Sequence, residues 1–266
     1  QEGSVTRLKD THHHESRDIR ESWRFESDRN VAQTVSKAME WLQLHHKEEF
    51  FLYLDTWDPH EPWDAPSYYT EMYMPDYDGE IVQPIYGNWA DSPGLTASHV
   101  NKAFATYKGE VTMVDTWIGY LLGMVENMGL MENTAIIFTS DHGFYFGEHD
   151  GLFGKLTFAK KPDGSIYKHS DQDAMWDLSP LYEEIVLVPL LVYLPGVSPG
   201  VYRGITSAID IMPTVLDAMN ESIPEHVEGM SLLPRVHDKT IKGRDFTVST
   251  VPFANPGDPV DSVDNI

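Results

Sequence analysis

The chain has no cysteine among its 266 residues. Disulfides, thiolate metal sites and a cysteine nucleophile are therefore excluded within it. Basic residues are scarce: 19 Lys and Arg stand against 42 Asp and Glu, for a formal charge of -23. A surface of that sign repels phosphate backbones and argues against nucleic acid as a partner. It also disfavours a large sulfated or phosphorylated polymer unless a basic pocket lies inside the fold. No apolar run approaches the ~20 residues of a membrane span. No secretory leader is visible, but the chain opens on Gln1 and a polar stretch. It reads as part of a longer protein, and its compartment and oligomeric state stay open.

What is present is a core. Hydrophobic residues make up 41% and aromatics 12%, enough for one large α/β domain or two small ones. Val31, Val35, Ala38, Met39 and Leu42 recur at three- and four-residue steps and predict a helix from about Asn30, capped by Asp28 or Asn30. Phe104, Tyr107, Val111, Val114, Ile118, Leu121, Leu122 and Val125 predict a longer one over 98–128, closed by Gly129, with Asp115 buried in it. A shorter helix is expected over 210–219, with Asp210 at its N-cap. Three apolar runs without alternation, at 50–54, 134–139 and 188–194, read as strands buried on both faces. Helices alternating with such strands predict a parallel sheet covered on both sides. Residues 61–97 read as a long loop, and the sequence after Gly229 as loop.

Ligands in such folds sit beyond the carboxyl ends of the strands. Two of the three strands end in charged loops. One carries Asp58 and His60 within Pro59-His60-Glu61-Pro62. The other carries Asp141, His142, Glu148, His149 and Lys155. Asp141 and His142 are a carboxylate and an imidazole, both suited to a divalent cation. A turn-capping Asp beside a solvated His remains the alternative. His60 is held between prolines and can serve a leaving group or an anion oxygen, or be structural. Lys155 follows a glycine-rich loop and can reach an anion as a point charge, or be solvated. Glu148-His149 is either a substrate-contacting loop or a polar turn. The run His12-His13-His14 reads as a His-rich loop. No residue is an evident nucleophile, and Ser140 reads as the end of a strand.

Thr139-Ser140-Asp141-His142-Gly143, Gly147-Glu148-His149 and Gly154-Lys155 together resemble the second metal-binding motif of the sulfatases, in the alkaline phosphatase superfamily. Phe50–Leu54 with Pro59-His60-Glu61-Pro62-Trp63 resembles an earlier strand and Pro-His loop of that family. Leu181-Tyr182-Glu183-Glu184, Leu194-Pro195-Gly196 and Asp210-Ile211-Met212-Pro213-Thr214 resemble later ones. The resemblance implies an alkaline-phosphatase-like α/β/α sandwich with a mostly parallel central sheet. It assigns Asp141 and His142 to a divalent metal, Ca2+ with Mn2+ or Mg2+ as alternatives. It assigns His60 and Lys155 to sulfate binding and catalysis, with His149 beside the substrate. The substrate implied is a small-molecule or saccharide sulfate ester. The formylglycine nucleophile of the family lies in an upstream motif that this sequence lacks. The expected organisation is the C-terminal part of a catalytic domain over 1–235 and the start of an incomplete region over 236–266, inactive alone. A phosphonate monoester or phosphodiester hydrolase, with its pocket around Trp57, Trp63 and 156–180, is the first alternative. An inactive module of the same fold is the second. Residues 156–180 are either a lid or an inert insertion.

Overall fold

The computed structural model describes residues 5–6, 23–158, 161–165, 176–177 and 179–249. The His12–His14 run and much of the segment 156–180 lie outside them. Helix α1 spans Asn30–His45, α2 Ser67–Glu71, α3 Ala97–Asn127, α4 Glu148–Gly151, α5 Glu183–Val186, α6 Ile211–Ala218 and α7 Leu233–His237. The strands are short: β1 Val5–Thr6, β2 Ile81–Val82, β3 Gly87–Asn88, β4 Ile136–Thr139, β5 Tyr145–Phe146, β6 Leu152–Gly154, β7 Thr157–Phe158, β8 Trp176–Asp177 and β9 Leu190–Tyr193.

The described residues divide into two compact units. Those up to Leu130, with Gly143–Pro180, form one; Met131–His142, with those from Leu181 onward, form the other.

In the first unit, the helical periodicity of α1 and α3 is realised. Val31, Val35, Ala38 and Leu42 are buried on one face of α1, and Val114 and Val125 on α3. Val31 and Val35 join Tyr69, Met113 and Val114 in one apolar cluster. A second cluster holds Trp63, Val82, Leu95, Val100, Ala103 and Phe153. At about 1.5–3 kcal/mol for each large side chain buried, these two clusters organise the unit. Strands β3, β6 and β5 form a three-stranded antiparallel sheet in that order.

Several expectations are corrected. Neither Asp28 nor Asn30 caps α1; the N–H of Val31 donates instead to Asp58, 27 residues away, at 2.7 Å. Asp115 is exposed, and so are Phe104, Val111 and Leu122, so the predicted stripe of α3 is buried only in part. Glu110 is the buried acid of α3, 2% exposed, one residue from the predicted stripe. Residues 61–97 carry α2, β2 and β3 rather than loop alone, and α7 lies in the stretch read as loop after Gly229.

Parallel pairing among the described residues is limited to β1 and β2, with Val5 opposite Ile81 and Thr6 opposite Val82. β4 and β9 pair antiparallel, with Ile136 opposite Tyr193 and Thr139 opposite Leu190. Residues 50–54 form no ladder: Phe51 and Tyr53 face solvent while Leu52 and Leu54 are half-buried. An unalternating apolar run needs cover on both faces. Here one face is covered, so period-two exposure appears where the residue types show none.

In the second unit, Asp210 is fully buried at the start of α6. It does not cap that helix by a side-chain bond. Its carboxylate instead accepts the N–H groups of Ser207 at 2.9 Å and Met230 at 2.8 Å, and pairs with Arg244. That cross-tie holds the segment after Gly229 on α6.

Candidate active site

The loop 57–63 is anchored at both ends. Asp58, 6% exposed, closes it against the first turn of α1. Trp63 is 1% exposed in the core, and its indole N–H donates to the Pro59 carbonyl at 3.0 Å. Trp63 is thus a core residue and not an open pocket wall. Between the anchors, the His60 N–H donates to the Trp57 carbonyl at 2.9 Å, and the Trp57 ring lies tilted by 31° against the imidazole at 4.1 Å between centroids.

Lys155 is delivered by β6. Phe153 is fully buried in the same cluster as Trp63, and Gly154 follows at φ +142. A Cβ on Gly154 would lie 2.8 Å from the Cα of Tyr86, a backbone approach only glycine permits. Two aromatics of one core cluster therefore fix the two loops on which His60 and Lys155 stand.

The result is a close pair. Lys155 Nζ lies 2.8 Å from His60 Nε2, across 95 residues of sequence. His60 Nδ1 lies 2.7 Å from the backbone carbonyl of Glu61. A carbonyl only accepts, so Nδ1 carries a proton, and the Nε2···Nζ line carries one more. The Glu61 carboxylate is buried behind the pair, 3.3 Å from His60 Nδ1 and 3.6 Å from Lys155 Nζ. Its other oxygen accepts the Tyr86 hydroxyl. Side chains of His60 and Lys155 are 32% and 18% exposed, so both are partly open to solvent.

Beneath the loop lies a buried acid. Glu110 accepts the Ala65 N–H at 2.7 Å. Burial first, then the nearby charges of Asp64 and Asp58, hold its carboxyl well above the usual range, against the Ala65 N–H and Arg29.

Asp141 and His142 stand in the second unit, just past β4. Asp141 Oδ1 accepts the His142 N–H at 2.8 Å, and Oδ2 lies 3.5 Å from His142 Nε2. The Asp141 side chain is 84% exposed. A hard carboxylate beside an imidazole, both open to solvent, fits a divalent cation as part of its donor set. Among the described residues no cluster of three or more His, Cys, Asp or Glu forms, so other donors have to complete it. The Ser140 hydroxyl donates to the His142 carbonyl at 3.2 Å within the same turn, a structural use.

His149 sits in α4 at φ 51 with Asp150 at φ 64, an irregular turn as its glycines implied. Its ring meets Tyr145 edge-on at 5.9 Å. Glu148 closes the turn by accepting the Phe146 N–H at 2.6 Å. Sequence reasoning passed over Glu61 and Tyr86. The prolines flanking His60-Glu61 are the only signal for the first, and no local pattern marks the second.

The fold is shared with hydrolases of the alkaline phosphatase type. The phosphonate monoester hydrolase SpPMH from Silicibacter pomeroyi superposes with a TM-score of 0.63 at 25% identity, over 89% of this chain and 47% of that one. The phosphonate monoester hydrolase of Agrobacterium radiobacter gives 0.58 at 22%, over 80% and 43%. Residues 8–221 match the family model of the sulfatases, and the chain belongs to that family, within the alkaline phosphatase superfamily. It is 27% identical to an arylsulfatase of Clostridium perfringens over 80% of this chain and 43% of the relative. It is 26% identical to the multifunctional alkaline phosphatase superfamily protein PehA of Trinickia caryophylli, over 75% and 40%. The chain spans less than half the length of these curated relatives.

Proposed function

We propose that this chain supplies the non-nucleophilic part of a sulfatase active site that hydrolyses a small-molecule or saccharide sulfate ester. The observation that carries the reading is the Lys155–His60 contact of 2.8 Å. Two motifs that the family resemblance assigns to one anion meet at hydrogen-bonding distance in a part-buried, charge-balanced setting. Membership of the sulfatase family supports the reaction class.

In this reading Lys155 donates to the oxygens of the bound sulfate and offsets their charge as it grows in the transition state. His60 faces the bridging oxygen through Nε2. The one proton on the Nε2···Nζ line passes to the departing alcohol, the step at which a positioned acid is effective. Trp57 covers the outer face of His60 and keeps water from that line. Asp141 and His142 would hold part of a divalent cation, Ca2+ or, by the same donor chemistry, Mn2+ or Mg2+. When bound, such an ion supplies charge stabilisation at the sulfate and nucleophile. The nucleophile, a formylglycine made from Cys or Ser in a Cys-x-Pro-x-Arg-like motif, comes from outside these 266 residues, since the sequence holds no such motif. The mostly parallel central sheet of the alkaline-phosphatase-like fold belongs to the same reading.

A second reading, hydrolysis of a phosphonate monoester, is favoured by the TM-score of 0.63 to the Silicibacter enzyme. Turnover of 4-nitrophenyl sulfate and 4-nitrophenyl phenylphosphonate by the full-length protein tests both. Faster sulfate hydrolysis is expected. Faster phosphonate hydrolysis overturns the preference, and turnover of neither points to an inactive module.

A further inference from the structure

Glu61 has no part in the reading above, yet its carboxylate touches both members of the pair. Three elements bring titratable groups to it: its own loop brings His60, the segment before β3 brings Tyr86, and the end of β6 brings Lys155. The residue is 8% exposed. A carboxylate so enclosed is retained at a cost in desolvation, which the single positive charge of the Lys155–His60 pair and the Tyr86 hydroxyl offset. Tyr86 itself is held in the left-handed region, at φ 55, a conformation unfavourable for an aromatic residue. Its backbone is tied to β6 by the Tyr86 N–H to Phe153 carbonyl bond of 2.9 Å. Gly154 leaves the room that Tyr86 needs. Strain and close approach converge on the atom that orients Glu61.

We propose that Glu61, oriented by Tyr86, is a positioning residue that keeps one positive charge on the Lys155–His60 pair and holds Lys155 within reach of the anion. The geometry separates two tasks. The backbone carbonyl of Glu61 sets the His60 tautomer through Nδ1. The side chain, 3.3 Å from His60 Nδ1 and 3.6 Å from Lys155 Nζ, balances the charge of the pair. With the carboxylate replaced by an amide, the tautomer persists but the charge is no longer favoured, so the pair releases its proton at lower pH. A residue that merely fills space would leave that titration unmoved. The inference rests on the reading of Lys155 and His60 as the anion site, and its test keeps the two apart.

The experiment uses the full-length protein. Lys155 is followed by its rate of labelling with an amine-reactive reagent, read by peptide mass mapping. His60 is followed by its ring 15N signals, assigned by their loss in His60→Gln. Glu61→Gln is expected to raise Lys155 labelling about tenfold and to move the His60 titration to lower pH. Tyr86→Phe, which removes only the hydroxyl, moves both the same way by less, and Glu61→Asp restores part of the wild-type rate. Unchanged labelling and titration in folded Glu61→Gln and Tyr86→Phe overturn the inference. If Glu61→Gln does not fold, Tyr86→Phe decides alone. Inorganic sulfate is added to the wild type in parallel. Variants that respond while sulfate fails to protect Lys155 leave Glu61 as the positioning residue and remove the anion reading. Protection without any response in the variants does the reverse.

Discussion

Asp58→Ala tests how the fold delivers His60. Asp58 opens the Asp58-Pro59-His60-Glu61-Pro62-Trp63 loop, and its carboxylate receives the Val31 N–H at 2.7 Å inside the protein. The exchange removes a cap on α1, about 1 kcal/mol. It also leaves a buried N–H without its acceptor, a loss of about 1–3 kcal/mol. The two terms overlap, and about 2 kcal/mol in total is expected. For a domain of this size that lowers Tm by about 4–8 °C. Asp58→Asn keeps an oxygen acceptor and removes a charge that faces Glu110, so it stays within about 2 °C of wild type. Circular dichroism melts at matched pH read both. If Asp58→Ala melts within about 1 °C of wild type, the bond does not hold the loop, and the placement of His60 needs another explanation.

Gly154→Ala forces a Cβ against the Tyr86 backbone at positive φ; a loss of about 1–3 kcal/mol and faster labelling of Lys155 are expected, by melts and mass mapping. Glu110→Gln keeps an acceptor for the Ala65 N–H and removes a carboxyl whose folded pKa is raised above 4.5. A raised acid favours folding below its unfolded value and loses that contribution as pH rises through the folded one. Wild type therefore loses stability relative to Glu110→Gln as pH climbs from about 4.5; parallel melts in which the difference stays flat contradict this. Asp141→Ala should abolish any rise in Tm caused by calcium, and equal responses of wild type and variant remove Asp141 from the metal site.

The helices were legible because their cores are local. In α1 and α3 the apolar spacing is enough to place Val31, Val35, Val114 and Val125 inside. What escaped depends on contacts far along the chain. The cap of α1 comes from Asp58 and the long-range ties of Asp210 from Met230 and Arg244; no short window of sequence contains such pairs. The apolar runs at 50–54 and in β4 and β9 specify cover on both faces, but the covering partner is not encoded in the run. At the site, His60 and Lys155 were legible as residue types in constrained loops, and their contact was inferable from the family pattern. Glu61 and Tyr86 were not: the flanking prolines mark Glu61 only as part of a rigid loop, and no local pattern marks Tyr86. Trp63 was read as pocket and is core, since an aromatic next to a functional histidine serves either purpose.

The central claim is that Lys155 and His60 form one anion-handling pair in a sulfate ester hydrolase. Its most direct test is kcat/KM of the full-length protein on 4-nitrophenyl sulfate for wild type, Lys155→Ala, His60→Ala and the double variant. Each single variant should lose about 10²–10³-fold, and the double variant no more than about tenfold beyond the worse single one, because contacting residues that act together are not additive. Losses that multiply in full, or single variants within about threefold of wild type, would contradict the account.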